Sequence, residues 1–320
     1  MKKNSSIGDV LSILFGIILV VGVIQHFYAK SLDMDLPESE YYSAREMHRS
    51  YNKLISDESI KVYKTLERKV YRKPDEDRHN LLCEFTDVDR SQVYLGYRAF
   101  TDDHPEVFWI SIGFGLRNHT GIYSIYPKDE LKEKKKEFKE SVEEYLESVP
   151  EDLDEEGLAW YANSYLINSC EYDYEALALS EDSDRDDIEE QKLQEAGSAF
   201  GAIVNGKAIC AGYARAYQLL LNRVGVSCVY ISGQGSPLVN GKRSGRVDHA
   251  WNAVSIKYTW LMTDVTWNDS TGNASRYFNL PIKEMYQDHN AMTIDLENFK
   301  YLLVFTDFND DYGDNIFLPE

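Results

Sequence analysis

Residues 206–232, GKAICAGYARAYQLLLNRVGVSCVYIS, decide how the second half of the chain is read. A Gly-Lys turn leads to Cys210, after which Tyr213, Tyr217, Leu220, Leu221 and Val224 recur at helical spacing and mark one apolar face. Gly225 stands where a helix that ends in left-handed backbone takes glycine. The following VSCVYIS reads as a strand, with Cys228 as a small buried hydrophobe. Cys210 is therefore expected on the first turn of a helix. A thiol attacks only as thiolate, and its ordinary pKa of about 8.5 is lowered by a helix N-terminus or a nearby imidazolium.

The imidazole comes next in the chain. After a Gly-rich lip, GQGSPLVNGKRSGR, which lacks the spacing of a phosphate loop, VDHAWNAVSI (247–256) and TWLMTDVTW (259–267) read as two strands joined at Lys257-Tyr258. In a two-residue hairpin Ile256 faces Thr259, so His249 falls opposite Thr266 and Trp251 opposite Asp264. Alternation then puts His249, Trp251, Asp264 and Thr266 on one face, with Asp264 diagonal to His249 at about 7 to 8 Å between backbones. Trp267 is expected on the opposite face as a core aromatic. Lys and Tyr do not favour positive φ, so a wider loop with a slipped register is the alternative. A helix packed on that face would bring Cys210 to His249, completing a nucleophile, a base and a carboxylate that orients the base. Trp251 is the candidate wall of the acyl site. The backbone N–H of Cys210 is a candidate oxyanion donor, while Tyr172 and Tyr174 remain open.

NGKAICAGYARAYQLLLNRVGVSCVYISG, DHAWNAV and TDVTWND together resemble the three motif blocks of bacterial transglutaminase-like domains, a superfamily of papain-like fold that includes thiol peptidases and peptide N-glycanase. The resemblance runs over roughly residues 155 to 280 and puts Cys210, His249 and Asp264 on the family's triad positions. It departs at Asp248, where glycine is frequent, and at Lys257-Tyr258, where Asp-Gly is frequent. The resemblance implies acyl transfer on peptide or protein amides through a thioester, by peptidase, deamidase or cross-linking chemistry; the triad does not select among them. A fold kept only to bind peptides or cell-wall polymers is the rival reading. With the nucleophile supplied by the chain and no H-E-x-x-H or cysteine cluster, neither metal nor cofactor is expected.

The rest of the chain sets the frame. Its 54 acidic against 34 basic side chains give a net charge of -20, a field that repels nucleic acid. Cys83, Cys170, Cys210 and Cys228 show no ladder of spacings, so no disulfide scaffold is indicated. Lys2 and Lys3 precede an apolar run from Val10 to Ile24, then Phe27 and Tyr28. With the aromatic flank this reaches the length of about 20 residues that a span needs. A cleaved signal peptide is the alternative, though Phe27 suits a cleavage site poorly. The expected fold is α+β: a signal anchor in 1–30 crossing the bilayer through residues 10–28, an N-terminal α/β module in 31–150, and a transglutaminase-like domain in 151–320 outside the cell membrane.

Within the module, helical spacing runs through Met47, Tyr51, Leu54, Ile55, Val62, Leu66 and Val70, while SQVYLGYRAF (91–100) and GIYSIYP (121–127) look like strands. Lys128 to Val149 reads as a charged helix with Leu131, Phe138, Val142, Tyr145 and Leu146 inward. EEGLAWYANSYLI (155–167) reads as a helix burying Leu158, Tyr161, Tyr165 and Leu166. The acid run SEDSDRDDIEEQK lacks the glycine and ligand spacing of a calcium loop and is expected to be solvated.

Overall fold

The computed structural model describes residues 50–302, apart from 117, 118, 240, 241, 244, 292, 297 and 298. The anticipated span at 10–28 and Met47 lie outside these residues. Among the described residues no helix is long and apolar enough to cross a membrane.

The core is an antiparallel four-stranded sheet in the spatial order Thr259–Thr263, Val247–Ile256, Cys228–Gly235, His289–Ala291, with the helix Cys210–Arg223 packed on it. That helix buries Tyr213, Tyr217, Leu220 and Leu221, and Gly225 ends the turn beyond it at φ +85°. Val224 closes the helix as its C-cap. Asn252, fully buried on the central strand, pins the two together: its side-chain N–H donates to the Ala214 carbonyl at 2.9 Å and the Val229 carbonyl at 3.3 Å.

The hairpin keeps the expected register, with Thr259 opposite Ile256 and Thr263 opposite Asn252. Its turn has two residues, Lys257 at φ 49° and Tyr258 at φ 66°, so the wider loop is not used. Both side chains pay the steric cost of left-handed backbone. The helix Glu155–Ser169 compensates: Lys257 N–H donates to the Glu155 carboxylate, and Lys257 Nζ lies 3.2 Å from Asp154 Oδ2. Tertiary anchoring of the turn replaces glycine.

The second strand, however, ends at Thr263. Asp264 is the N-cap of a short helix, Val265–Ser270, its Oδ1 accepting the Trp267 backbone N–H at 3.1 Å. The expected pairs Asp264–Trp251 and Thr266–His249 therefore do not form, because a capping aspartate starts a helix where β-formers alone suggested more strand.

Upstream, a three-stranded antiparallel sheet (Leu81–Phe85, Thr120–Ser124, Ile110–Phe114) is joined by the helices Asp57–Lys69, Arg90–Asp103 and Lys128–Ser148. The second helix corrects the strand expected at 91–100. Asp89 caps it by accepting the Ser91 N–H at 2.8 Å, and burial follows a helical stripe through Val93, Gly96, Ala99 and Phe100. A Cβ on Gly96 would sit 2.6 Å from the Ser59 carbonyl, so the glycine allows this helix to lie against Asp57–Lys69. The helix Lys128–Ser148 buries Leu131, Phe138, Val142 and Tyr145 as expected, whereas Leu146 is only half-buried and Ile55, just before Asp57–Lys69, is exposed. In Glu155–Ser169 the buried set is Ala159, Ala162, Asn163 and Leu166; Leu158, Tyr161 and Tyr165 are only half-buried. The inward face is the one with small residues, which admit close approach of the Cys210 helix.

Side chains from before residue 150 pack directly on the later ones. Gln218 Nε2 donates to the Asp102 carbonyl at 2.8 Å, Arg98 Nη2 to Ser232 Oγ at 3.0 Å, and Phe108 stacks on Phe200 at 4.6 Å.

Candidate active site

Cys210 is the first residue of its helix, preceded by Ile209 as an N-cap without a side-chain bond. Such a terminus leaves backbone N–H groups and the positive end of the helix dipole beside the thiol. Gly212 makes the placement possible, since a Cβ there would lie 2.3 Å from the Ala196 carbonyl. Cys210 is partly exposed, whereas Cys83, Cys170 and Cys228 are buried. Burial pushes the Cys83 thiol up to about 11, the Cys170 thiol to about 12, and Cys228 well above the ordinary range.

His249 reaches this thiol from the sheet. Its Nε2–H donates to Asp264 Oδ2 at 2.8 Å, which leaves Nδ1 for Cys210. The tautomer follows from the partner, because an ionised carboxylate only accepts. Burial works against charge on the ring, but the Asp264 carboxylate and the facing Cys210 outweigh it and raise the imidazole to about 10. For Asp264, with no exposed surface, burial likewise opposes ionisation, yet His249 and His289 hold its carboxyl well below the ordinary range.

His289 is a residue that motif reading missed. Its Nε2–H donates to the same Asp264 oxygen at 3.1 Å, and its Nδ1–H to Asp288 Oδ1 at 2.7 Å. It sits at the sheet edge, on the strand that pairs with Cys228–Gly235, where His289 faces Gly235. The ligand atoms of His249, Asp264 and His289 lie within 4.8 Å of one another. As arranged, both imidazole Nε2 atoms carry protons to the carboxylate, which is hydrogen bonding and not the deprotonated set that a cation needs.

Trp251 does share the His249 face, but with no exposed surface, and its indole N–H has no partner. It stacks on His249 at 6.1 Å and meets His289 edge-on at 4.8 Å, so it backs the two imidazoles from the core side instead of lining an open acyl site. Trp267 overturns its expected place in the opposite face. Because the chain turns helical at Asp264, its ring swings over His249, stacked at 4.8 Å, and rests above Gly235, where a Cβ would come within 2.7 Å. Thr266 is buried nearby in the same short helix.

Of the two open tyrosines, Tyr172 interacts with both the charge and the backbone amide of Cys210, and stacks on Tyr213 at 6.5 Å. Tyr174 is 71% exposed and touches the site only through the Tyr172 ring. Cys210, His249 and Asp264 are thus brought together, with Tyr172, Trp267 and His289 added around them.

Residues 159–265 match the family model described as Transglutaminase-like superfamily, so this mixed helix and sheet structure has a transglutaminase-like core. The Kyphoscoliosis peptidases of Mus musculus and Homo sapiens are each 29% identical to the chain over 119 residues, which is 36% of this chain and 16% of either relative. A solved structure titled "Crystal structure of a TGase" aligns over 49% of this chain and 43% of that one, at 16% identity and a TM-score of 0.32, a similarity too low to bear on the fold.

Proposed function

We propose that this chain, with its transglutaminase-like core, is a cysteine acyltransferase or peptidase that acts on peptide or protein amides through a thioester. One observation carries the reading: His249 gives its Nε2–H to a fully buried Asp264 while its other nitrogen is turned to the only partly exposed cysteine among the four. The thiolate of Cys210 attacks the amide carbonyl, a C–S bond forms, and the carbonyl π electrons move to oxygen. In this reading the oxyanion is met by the Cys210 backbone N–H and the Tyr172 hydroxyl, two groups that lie against each other in the resting chain. On collapse the C–N bond breaks and the leaving amine takes the proton from His249. Water or a primary amine then attacks the thioester as His249 removes its proton, and the thiolate leaves. Asp264 holds the ring in this tautomer throughout. The apolar run from Val10 to Ile24 behind Lys2 and Lys3 supports a membrane tether, with the domain on the extracytoplasmic side.

The test offers the full chain a glutamine-containing peptide with and without a labelled primary amine, and traps the adduct on Cys210 by mass spectrometry. Incorporation of label identifies cross-linking chemistry; ammonia or a new peptide end without label identifies hydrolysis. Full activity in a well-folded Cys210→Ala protein would overturn the mechanism, and absence of any adduct across such donors would favour a binding module.

A further inference from the structure

Beside the nucleophile lies a cavity of about 310 Å³ that the acyl-transfer steps leave unused. Its walls come from both halves of the described chain: Tyr94, Tyr97 and Arg98 from the helix Arg90–Asp103, and Ile209, Ala211 and Arg215 from the start of the Cys210 helix. Ile209 and Ala211 are the residues on either side of Cys210, and the Tyr230 ring that Arg215 covers belongs to the cluster on which Cys210 packs, so the cavity adjoins the start of the nucleophile's helix without being lined by Cys210 itself. Cys210 and Ala211 in turn pack against Tyr230 and Ala250, and the Arg215 guanidinium lies 4.3 Å over the Tyr230 ring.

The charge of this cavity runs against that of the chain. Two arginines line it and no aspartate or glutamate does. Behind the arginines sits one buried carboxylate, Asp102, and both contacts to it are long: 3.7 Å from Arg98 Nη2 and 3.5 Å from Arg215 Nη2. One carboxylate between two guanidinium groups leaves an excess positive charge, and Arg98 Nε is buried without a hydrogen-bond partner. On the helix Asp187–Ala196, which supplies Leu193 and Gln194 to the wall, Glu190 is turned to Arg185 and Glu195 to the Tyr126 hydroxyl. In contrast, another cavity of this size, about 320 Å³, is bordered by Asp173, Glu175, Glu189 and Glu195 with two lysines. In a chain of net charge -20, a cationic cavity at the nucleophile is a local specialisation. Guanidinium groups backed by tyrosines suit a planar anion, and a carboxylate is the one that peptides carry.

We infer that this cavity is a donor-side subsite for a carboxylate held close to the reacting amide, supplied by an acidic side chain or by a free peptide C-terminus. The inference rests on the acyl-transfer reading of Cys210. It assigns a substrate preference to the helix Arg90–Asp103, which lies outside the residues matched by the family model.

Alkylation tests it without knowledge of the natural substrate. The α-amides of N-bromoacetyl-glutamate and N-bromoacetyl-glutamine differ only in the charge of the side chain, and in each the Cys210 thiolate displaces bromide. The full chain should be labelled at Cys210 at least about fivefold faster by the acid, and Arg98→Gln should bring the ratio close to that of a free thiol; Arg98→Lys should keep part of it. A bromoacetyl dipeptide with a free or an amidated C-terminus separates a terminal from a side-chain carboxylate. Fast labelling of Cys210 at equal rates by acid and amide in both reagent pairs, in the wild-type chain, overturns the subsite alone. Labelling no faster than a free thiol overturns the acyl-transfer reading and the subsite with it. The wild-type comparison decides the matter even if an Arg98 variant fails to fold.

Discussion

His289 lies between two carboxylates, and its charge follows from that alone. Carboxylates accept but do not donate when ionised, so an imidazole bonded to Asp264 through Nε2 and to Asp288 through Nδ1 carries both protons. Burial opposes this, while Asp264 and Asp288 raise the ring above its ordinary value; Tyr277 holds the far oxygen of Asp288 at 3.1 Å. Asp264 therefore serves two cations, His249 and His289. In His289→Gln the neutral amide can still donate, but Asp264 is left to pull on His249 alone. The alkaline limb of kcat/KM should then move up by as much as about one pH unit. A fall in activity with both limbs unmoved would make His289 a packing residue only. For the triad, Cys210→Ala and His249→Ala should each lower turnover nearly as far as the double variant, and Asp264→Asn should give a large but partial loss. In the folded wild type, iodoacetamide should label Cys210 far faster than the other three cysteines; equal labelling would mean that no activated thiol exists.

At the scale of elements, the approach of Cys210 to His249 is set by how one helix sits on one sheet. Asn252 joins them through the Ala214 carbonyl, one turn along the helix from Cys210, and its own strand position is three residues from His249. Asn252→Ala would remove this tie to a carbonyl that keeps its own helical partner and would open a void, at a cost of about 1 to 3 kcal/mol. The thermal transition should fall, and Cys210 labelling should slow at temperatures where the variant is still folded. Unchanged labelling would mean that the helix is held by apolar packing alone. The hairpin shows the converse, in which a turn with unsuitable residues is held by a neighbouring element. Lys257 and Tyr258 accept left-handed backbone because the start of Glu155–Ser169 grips Lys257.

For the whole molecule, the buried cluster makes stability depend on pH from both sides. His249 is raised from an ordinary 6.5 to about 10, so its contribution is complete below about 6.5 and is lost as the pH rises towards 10. Asp264 is held below its ordinary 3.8, so its contribution is present above that value and lost as the pH falls further. The cluster should stabilise most between about pH 4 and 6.5. Thermal transitions of wild type minus Asp264→Asn, measured across pH, should peak there; parallel profiles would show that the cluster contributes nothing to the pH dependence. A separate measurement bears on topology. Protease added to intact cells should digest the domain if residues 10–28 tether it outside, and full protection, or a soluble form starting near residue 30, would reject the tether.

What the sequence by itself determined was local: the helix that begins at Cys210, the register that follows from Ile256 facing Thr259, and the identity of Cys210, His249 and Asp264 as partners. Helical and strand periodicities, and motifs within one hairpin, carry that information because they depend on neighbours in the chain. Tertiary structure alone decided the rest. Arg90–Asp103 became a helix because a cap and one-sided burial outweighed β-formers, and Trp267 came to lie on His249 because the chain turned helical at Asp264. His289 joined the site from a strand added at the sheet edge, and Arg98 came to share a cavity with Ile209 and Ala211 through packing between distant segments. Neither leaves a periodic or motif signal, since what places them is burial against residues far away in the sequence.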